Sequence, residues 1–279
     1  MYDYDSVFLY HYLTSIGSMQ ARLALAEKRV RWRSEIVNTL RAEHLSPSYV
    51  RINPHGTIPT LVHNGMVVVD ALTILHYIDE ELKGPALTPE CPEERARMEK
   101  WLEVQDIFPL QELCFGTLEG LKARVANQIV DERIEIAGRM AERYPDLRAR
   151  YHAKLDDMEA FAEIYRDPRR VTTLVRDLAI TLQLMEHELE DRSWLAGDTY
   201  SLADIAWTAI FTRLETCGFA HFWRRRPRVR ALIQRHRTRA SYDAAITVYW
   251  NNEIRETLAR AGYKRKRLAD ALVSVSAME

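Results

Sequence analysis

The stretch VFLYHYLTSIGSMQARLALAEKRV, residues 7–30, decides how this chain folds. Val7 to Tyr12 is a short apolar and aromatic run of the kind that forms a buried strand. Thr14 to Ser18 then supplies hydroxyls and one glycine. From Met19 the spacing becomes helical, with Ala21, Leu23, Ala24, Leu25 and Ala26 set among Gln20, Arg22, Glu27 and Lys28. A strand therefore feeds a helix through a hydroxyl-rich turn at the helix N-terminus. Such a terminus presents unpaired N–H groups and the positive end of the helix dipole, and it stabilises a phosphate, carboxylate or thiolate. Ser15 and Ser18 add hydroxyl donors, and Gly17 leaves the backbone open to close approach. Either serine also suits the ordinary role of helix N-cap.

Working outward, the segment Val30 to Val37 reads as a second strand. A short helix is expected near Ser46 to Arg51, and Asn53-Pro54-His55-Gly56 is a turn cluster. Thr60 to Val62 and Met66 to Val69 flank His63-Asn64-Gly65, a hairpin signal. Ala71 to Leu82 has helical spacing through Leu72, Leu75, Ile78 and Leu82. The order β-α-β followed by β-β-α is that of the thioredoxin fold, a small mixed sheet flanked by helices. There is no C-x-x-C pair, which excludes dithiol redox chemistry at this turn. Pro59 stands where the third strand begins, and a cis Ile58-Pro59 bond would turn the chain before pairing starts. A trans bond at a strand start is the common alternative.

The chain has 279 residues, 47% hydrophobic and 28% charged, with a net charge of −1. That suits two globular domains and exerts no overall pull toward nucleic acid or membrane. The three cysteines, Cys91, Cys114 and Cys217, are scattered, with no metal spacing and no disulfide framework. A reducing, cytoplasmic setting fits. The acidic start MYDYDSV is no secretory signal, and no apolar run has the length of a membrane span.

The expected division is residues 1–82, a linker over 83–94, an all-helical region over 95–252 and a C-terminal extension over 253–279. The linker, KGPALTPECPEE, is rich in proline. Helices are expected over Arg95 to Glu119, Ala123 to Arg143, Leu147 to Tyr165 and Val171 to Glu190. Ser201-Leu202-Ala203-Asp204 is a capping box, with Tyr200 and Ile205 placed as its hydrophobic staple. Residues 223–239, WRRRPRVRALIQRHRTR, form the one strong basic run; a solvated helix face is the favoured reading over a nucleic-acid patch.

The opening strand and turn, NPHGTIPTL, VVDALTILHYIDEEL and the capping box together resemble the glutathione transferase family, nearest its bacterial tetrachlorohydroquinone dehalogenase-type and zeta-class branches. The resemblance implies a thioredoxin-like N-terminal domain, an all-α C-terminal domain, glutathione as co-substrate and a homodimer. It makes Ser15 the hydroxyl that activates the glutathione sulfur, with Ser18 as a second candidate. Ile58 then pairs through its backbone with the cysteinyl part, Pro59 is the cis-proline, and Asp70-Ala71 holds the γ-glutamyl end. His44 and His55 are looser candidates for the glycyl carboxylate, with an ordinary surface histidine as the favoured reading of both. Met19, Phe108, Phe115 and Trp207, with Cys114, Tyr249 and Trp250, are candidate walls for a hydrophobic, aromatic acceptor. Two departures matter. Gly17 stands where the dehalogenase type has its catalytic cysteine, which removes the thiol that reductive dehalogenation requires. Ala71 lacks the hydroxyl of the family pattern. A non-catalytic glutathione- or ligand-binding member is therefore the alternative to a transferase acting by conjugation, ether cleavage or isomerisation.

Overall fold

β1 (Val7–His11) lies at the centre of a four-stranded sheet of order β2-β1-β3-β4. The computed structural model describes residues 7–250, so the extension over 253–279 lies outside the described residues. β2 (Arg33–Ile36) runs parallel to β1, whereas β3 (Thr60–His63) is antiparallel to β1 and to β4 (Met66–Val69). The register sets Leu9 opposite Ser34 and Leu61, and Leu61 opposite Val68. Leu9, Leu61 and Val68 are buried in one core with residues of α1 (Ile16–Glu27) and α3 (Ala71–Glu81). The β3–β4 turn uses Asn64 at φ 51° and Gly65 at φ 80°, the left-handed pair that a two-residue hairpin demands. β2 is shorter than the sequence suggests. Its four residues are all exposed, as suits an edge strand carrying Arg33 and Glu35.

α2 (Pro47–Ile52) begins on the Ser46 cap, and the Ile58-Pro59 bond after it is cis. Beyond the first unit the chain is helical. α4 (Pro92–Ile107) and α5 (Leu110–Gly116) are separated at Phe108-Pro109, where the missing proline N–H ends a continuous helix. α6 (Gly120–Arg143) and α7 (Arg148–Tyr165) form a long hairpin closed through Tyr144–Leu147. α8 (Pro168–Glu188), α9 (Leu202–Thr216) and α10 (Pro227–Arg237) follow, and a short helical segment runs on from Ala240 to Thr247. The fold is a thioredoxin-like unit followed by a mostly helical one.

α9 is the axis of the helical part, with every residue from Leu202 to Phe211 buried. Its start is the complete capping box. Asp204 accepts from Ser201 N at 3.0 Å and also from Leu195 N at 3.1 Å. α1 packs between the sheet and α9 and is buried almost all round. Its polar residues meet the second unit. Gln20 donates to Gln105 and to the Ala206 carbonyl, while Glu27 takes a bidentate Arg239 at 2.7 and 2.6 Å. Lys28 pairs with Asp79 at 3.0 Å in a buried bridge, and Asp79 also accepts from Leu87 N, tying the connecting loop down. Burial raises the Asp79 carboxyl, but hydrogen bonds from Thr88, Lys28 and Leu87 outweigh it and hold it below the usual range.

The basic run is largely consumed by the fold. Arg228 pairs with Glu190, Arg237 with Glu215 and Arg239 with Glu27, while Arg226 and Arg235 donate to the carbonyls of Ala179 and Ser193. Among the described residues no helix is long and apolar enough to cross a membrane.

Candidate glutathione site

The β1–α1 turn is built by its own hydroxyls and by two arginines. Ser15 is the N-cap of α1, and its Oγ accepts from Ser18 N at a long 3.4 Å. Ser15 is half-buried. Ser18 is fully buried, and its Oγ accepts from Tyr12 N at 3.2 Å, so it closes the turn and does not face a ligand. That corrects its place as a second sulfur-facing hydroxyl. Arg22, fully buried, donates to the Leu13 carbonyl at 2.7 Å and to that of Tyr12 at 3.3 Å, and also bonds His11 Nδ1 at 3.0 Å. Arg213 from α9 donates to the Thr14 carbonyl. The carbonyls of Tyr12, Leu13 and Thr14 are thus turned into the protein, and the N–H groups that follow form the open end of α1. Burial and the Arg22 charge push the His11 imidazole down to about 3, so it stays neutral.

Three segments far apart in sequence meet at Gly17. A β-carbon built there would stand 2.8 Å from Pro59 Cδ, 3.1 Å from Ala71 Cβ and 3.7 Å from the Ile58 carbonyl oxygen. Only a residue without a side chain allows this approach. The loop carrying Ile58 and Pro59 is fixed from behind by Tyr49, whose hydroxyl donates to the Thr57 carbonyl at 2.6 Å, and by Asn53 Nδ2 at 2.9 Å from the same oxygen. Asp70 caps α3, accepting from Thr73 N at 2.9 Å, and has φ 73° and ψ 135°. A non-glycine residue in that region carries strain of order 1–3 kcal/mol, a feature that gathers at ligand sites. Asp70 is exposed, and its charge, after partial desolvation, helps raise the carboxyl of Asp106 on α4. The corner therefore has a negative side at Asp70 and Asp106.

The candidate acceptor walls do not come together. Met19 and Trp207 are fully buried, and Trp207 is locked by an edge contact to Trp101 at 5.6 Å and by its N–H on the Trp101 carbonyl. Both are core residues, because α1 and α9 pack directly on one another. Phe115 belongs to a separate cluster with Phe161 and Tyr165, which the α6–α7 hairpin creates. Phe108, at the α4–α5 break, is half-buried against the main core. Cys114 is buried and in thiol contact with Cys217, and Tyr249 covers the Arg22 guanidinium at 4.1 Å. His55 is exposed, as a surface histidine is, but His44 is buried, which corrects the surface reading for it.

Comparison with known proteins gives the family. The family model described as "Glutathione S-transferase, N-terminal domain" matches residues 9–86, and the corresponding C-terminal domain model matches residues 168–235. The chain is 31% identical over 240 residues to tetrachloro-p-hydroquinone reductive dehalogenase of Sphingobium chlorophenolicum, spanning 86% of this chain and 95% of that protein. The chain belongs to the glutathione S-transferase family. This family member is also 27% identical over 248 residues to glutathione S-transferase TCHQD of Arabidopsis thaliana, covering 82% of this chain and 90% of the relative. Among solved structures it resembles β-etherase LigF from Sphingobium sp., with a TM-score of 0.68 and 22% identity over 88% of this chain and 99% of that one, a likeness of fold. Neither matched domain model covers the α6–α7 hairpin.

Sequence reading missed Arg22, Arg213 and Asp106 in this glutathione S-transferase family member. Helical spacing sets Arg22 on the side of α1 opposite Gln20 and Glu27, among Met19, Leu25 and Ala26, and that was the signal that its charge is satisfied inside the protein. Arg213 and Asp106 belong to helices whose approach to the turn is a tertiary fact.

Proposed function

We propose that this chain is a glutathione transferase in which the open end of α1 and the Ser15 hydroxyl hold the glutathione sulfur as a thiolate. The observation that carries this is the convergence at Gly17 of the α1 N-terminus, the Ile58-Pro59 segment and the start of α3. The long bond from Ser18 N leaves the Ser15 hydroxyl hydrogen free to be donated to sulfur. The α1 amides and dipole favour the thiolate over the thiol. Ile58 offers its backbone to the cysteinyl part, while Asp70, the Ala71 N–H and Asp106 suit the γ-glutamyl ammonium and carboxylate.

The thiolate then attacks a hydrophobic, aromatic or conjugated electrophile. Conjugation, ether cleavage and isomerisation all begin with that step. Reductive dehalogenation of the kind named for the Sphingobium relative does not fit, because Gly17 supplies no thiol. We further assign residues 1–82 to the glutathione-binding domain and 95–252 to the acceptor domain, in a cytoplasmic homodimer. The test is a glutathione-dependent screen over aromatic halides, aryl ethers and conjugated carbonyls, with Ser15→Ala as the comparison. Turnover should fall about 100-fold in Ser15→Ala, the scale of losing one donor to a developing charge. Equal turnover by both proteins removes Ser15 from the chemistry.

The second reading is a glutathione-binding member without turnover. It draws support from the missing Ala71 hydroxyl and from the burial of Met19 and Trp207, which leaves the acceptor side poorly defined. Retention on immobilised glutathione with no turnover of any electrophile would favour it.

A further inference from the structure

The last turn of α9 carries a cation to the β1–α1 turn. α9 packs along α1, and Gln20 of α1 donates to the Ala206 carbonyl at 3.3 Å. Seven residues on, two helical turns along the same face, stands Arg213. It is half-buried, and its guanidinium donates to the Thr14 carbonyl. A cation in the last turn of a helix suits the dipole, but that role needs no contact with the other unit. Nor does the contact need a cation, since a neutral amide can donate to one carbonyl. Among the described residues Arg213 pairs with no carboxylate, and Glu215, two residues on, is taken by Arg237.

The carbonyl that Arg213 holds belongs to the Thr14–Ser15 peptide. The N–H of the same peptide donates to the Tyr12 carbonyl at 3.3 Å. This rigid plane is gripped at both ends, and its tilt sets the φ of Ser15, −61°. Through φ it sets the direction in which the Ser15 side chain leaves the backbone. The Tyr12 and Leu13 carbonyls are held by Arg22, a residue of α1 itself. The Thr14 carbonyl, nearest Ser15, is held from the second unit. Loose, its oxygen could swing toward the corner, where its partial negative charge would oppose a thiolate. Held, it points away, and a positive charge lies beside it. A half-buried guanidinium without a counter-ion carries a desolvation cost. A sulfur anion at the neighbouring hydroxyl is a counter-charge that offsets it.

We propose that Arg213 is a positioning residue of the sulfur corner: it fixes the Thr14–Ser15 peptide, and with it the hydroxyl that meets glutathione, and its charge favours the thiolate there. The helical unit thereby takes part in ionising the co-substrate. This role holds only if the glutathione reading does.

Ultraviolet absorbance of the thiolate, followed against pH for glutathione bound to the full-length protein, reads the sulfur pKa. In the wild type it should lie below the ordinary thiol value of about 8.5. Arg213→Met should raise it by about one unit, tenfold less thiolate at a pH above neither value, the lower end of what a neighbouring charge achieves. Arg213→Lys, which keeps the charge and a donor, should stay within about half a unit of wild type. Arg213→Gln is neutral yet can donate, and its upward shift decides the matter if Arg213→Met does not fold. Affinity for S-methylglutathione, which has no sulfur proton to lose, should change less than about twofold in each variant. If the wild type shows the lowered value and Arg213→Met and Arg213→Gln leave it unmoved, the role of Arg213 is overturned while the glutathione reading stands. A parallel loss of affinity for both tripeptides at an unchanged sulfur pKa marks a merely structural arginine and overturns it as well. If the wild type binds neither tripeptide, or binds glutathione with its sulfur at the ordinary thiol value, the thiolate reading itself falls and the role of Arg213 with it.

Discussion

Gly17 lies against Pro59 so closely that a β-carbon at Gly17 would stand 2.8 Å from the proline Cδ, below any ordinary contact. The neighbour is a ring carbon held by its own loop, not the end of a flexible chain, so the loop must move. Gly17→Ala gains up to about 1 kcal/mol of helix propensity but meets an overpacking cost of about 1–3 kcal/mol. We therefore expect a small net loss of stability and a clear loss of glutathione affinity, as the Ile58 backbone shifts from its pairing position. Urea unfolding and a glutathione titration of the same variant measure the two effects. Tighter glutathione binding by Gly17→Ala would contradict the close approach. For the same reason Gly17→Cys is not expected to gain dehalogenase activity simply by acquiring a thiol.

Arg22 is the bolt between the turn and the C-terminal helical segment. Its Nε donates to the Ala245 carbonyl at 2.7 Å while its other nitrogens hold Tyr12, Leu13 and His11. Arg22→Met takes a buried donor from the Leu13, Tyr12 and Ala245 carbonyls, of which Tyr12 keeps the Ser15 N–H, and should cost about 3 kcal/mol or more. Arg22→Lys keeps the charge but loses the planar fork, so it should fall between. The midpoints of urea denaturation rank the three proteins, and an Arg22→Met protein as stable as wild type would show that the bonds are dispensable.

Much of the fold was legible where its signals are local. The Val7 to Tyr12 run, the Asn64-Gly65 turn and the Ser201/Asp204 box each act within a few residues, and each stands where the pattern placed it. The strand before Asn38 was overextended, since Val30 and Trp32 are apolar but lie on the approach to an exposed edge strand. The partners of the α1 polar residues were not legible for a different reason. Gln20, Arg22 and Glu27 each have a partner more than eighty residues away, and only the docking of the second unit reveals it. The same cause hid the burial of Met19 and Trp207, which aromatic and apolar character alone could not separate from a pocket wall.

The capping box separates two roles that sequence assigns together. Ser201→Ala removes one hydroxyl from a buried N-cap and should cost about 0.5–2 kcal/mol. Asp204 accepts from Ser201 N, the Ser201 hydroxyl and Leu195 N, so Asp204→Ala strands several buried donors and should cost more, about 2–4 kcal/mol. The effect should appear in thermal or urea unfolding. Equal losses for the two variants would mean that the Leu195 contact contributes nothing.

Acid should unfold the protein through its buried imidazoles. His11 and His44 are held down to about 3, and His236 is lowered by burial despite Asp204 Oδ1 at 3.6 Å, with Arg235 and Arg239 adding to the depression. An unfolded histidine takes a proton near pH 6.5, so below that pH the unfolded chain binds protons that the folded chain refuses. Stability should be level above about pH 7 and fall as pH drops toward 3, by up to about 1.4 kcal/mol per pH unit for each such imidazole. His236 offers the cleanest check. Both its ring nitrogens lack a hydrogen-bond partner, and it stacks on Trp194 at 5.7 Å with an interplanar angle of 10°. His236→Phe preserves that stacking and deletes the titration, so its unfolding free energy should decline less steeply between pH 6 and 4.5. A variant whose slope matches wild type over that interval would mean that His236 stays uncharged in the unfolded chain as well, or charges in the folded one, and either result contradicts its neutral burial.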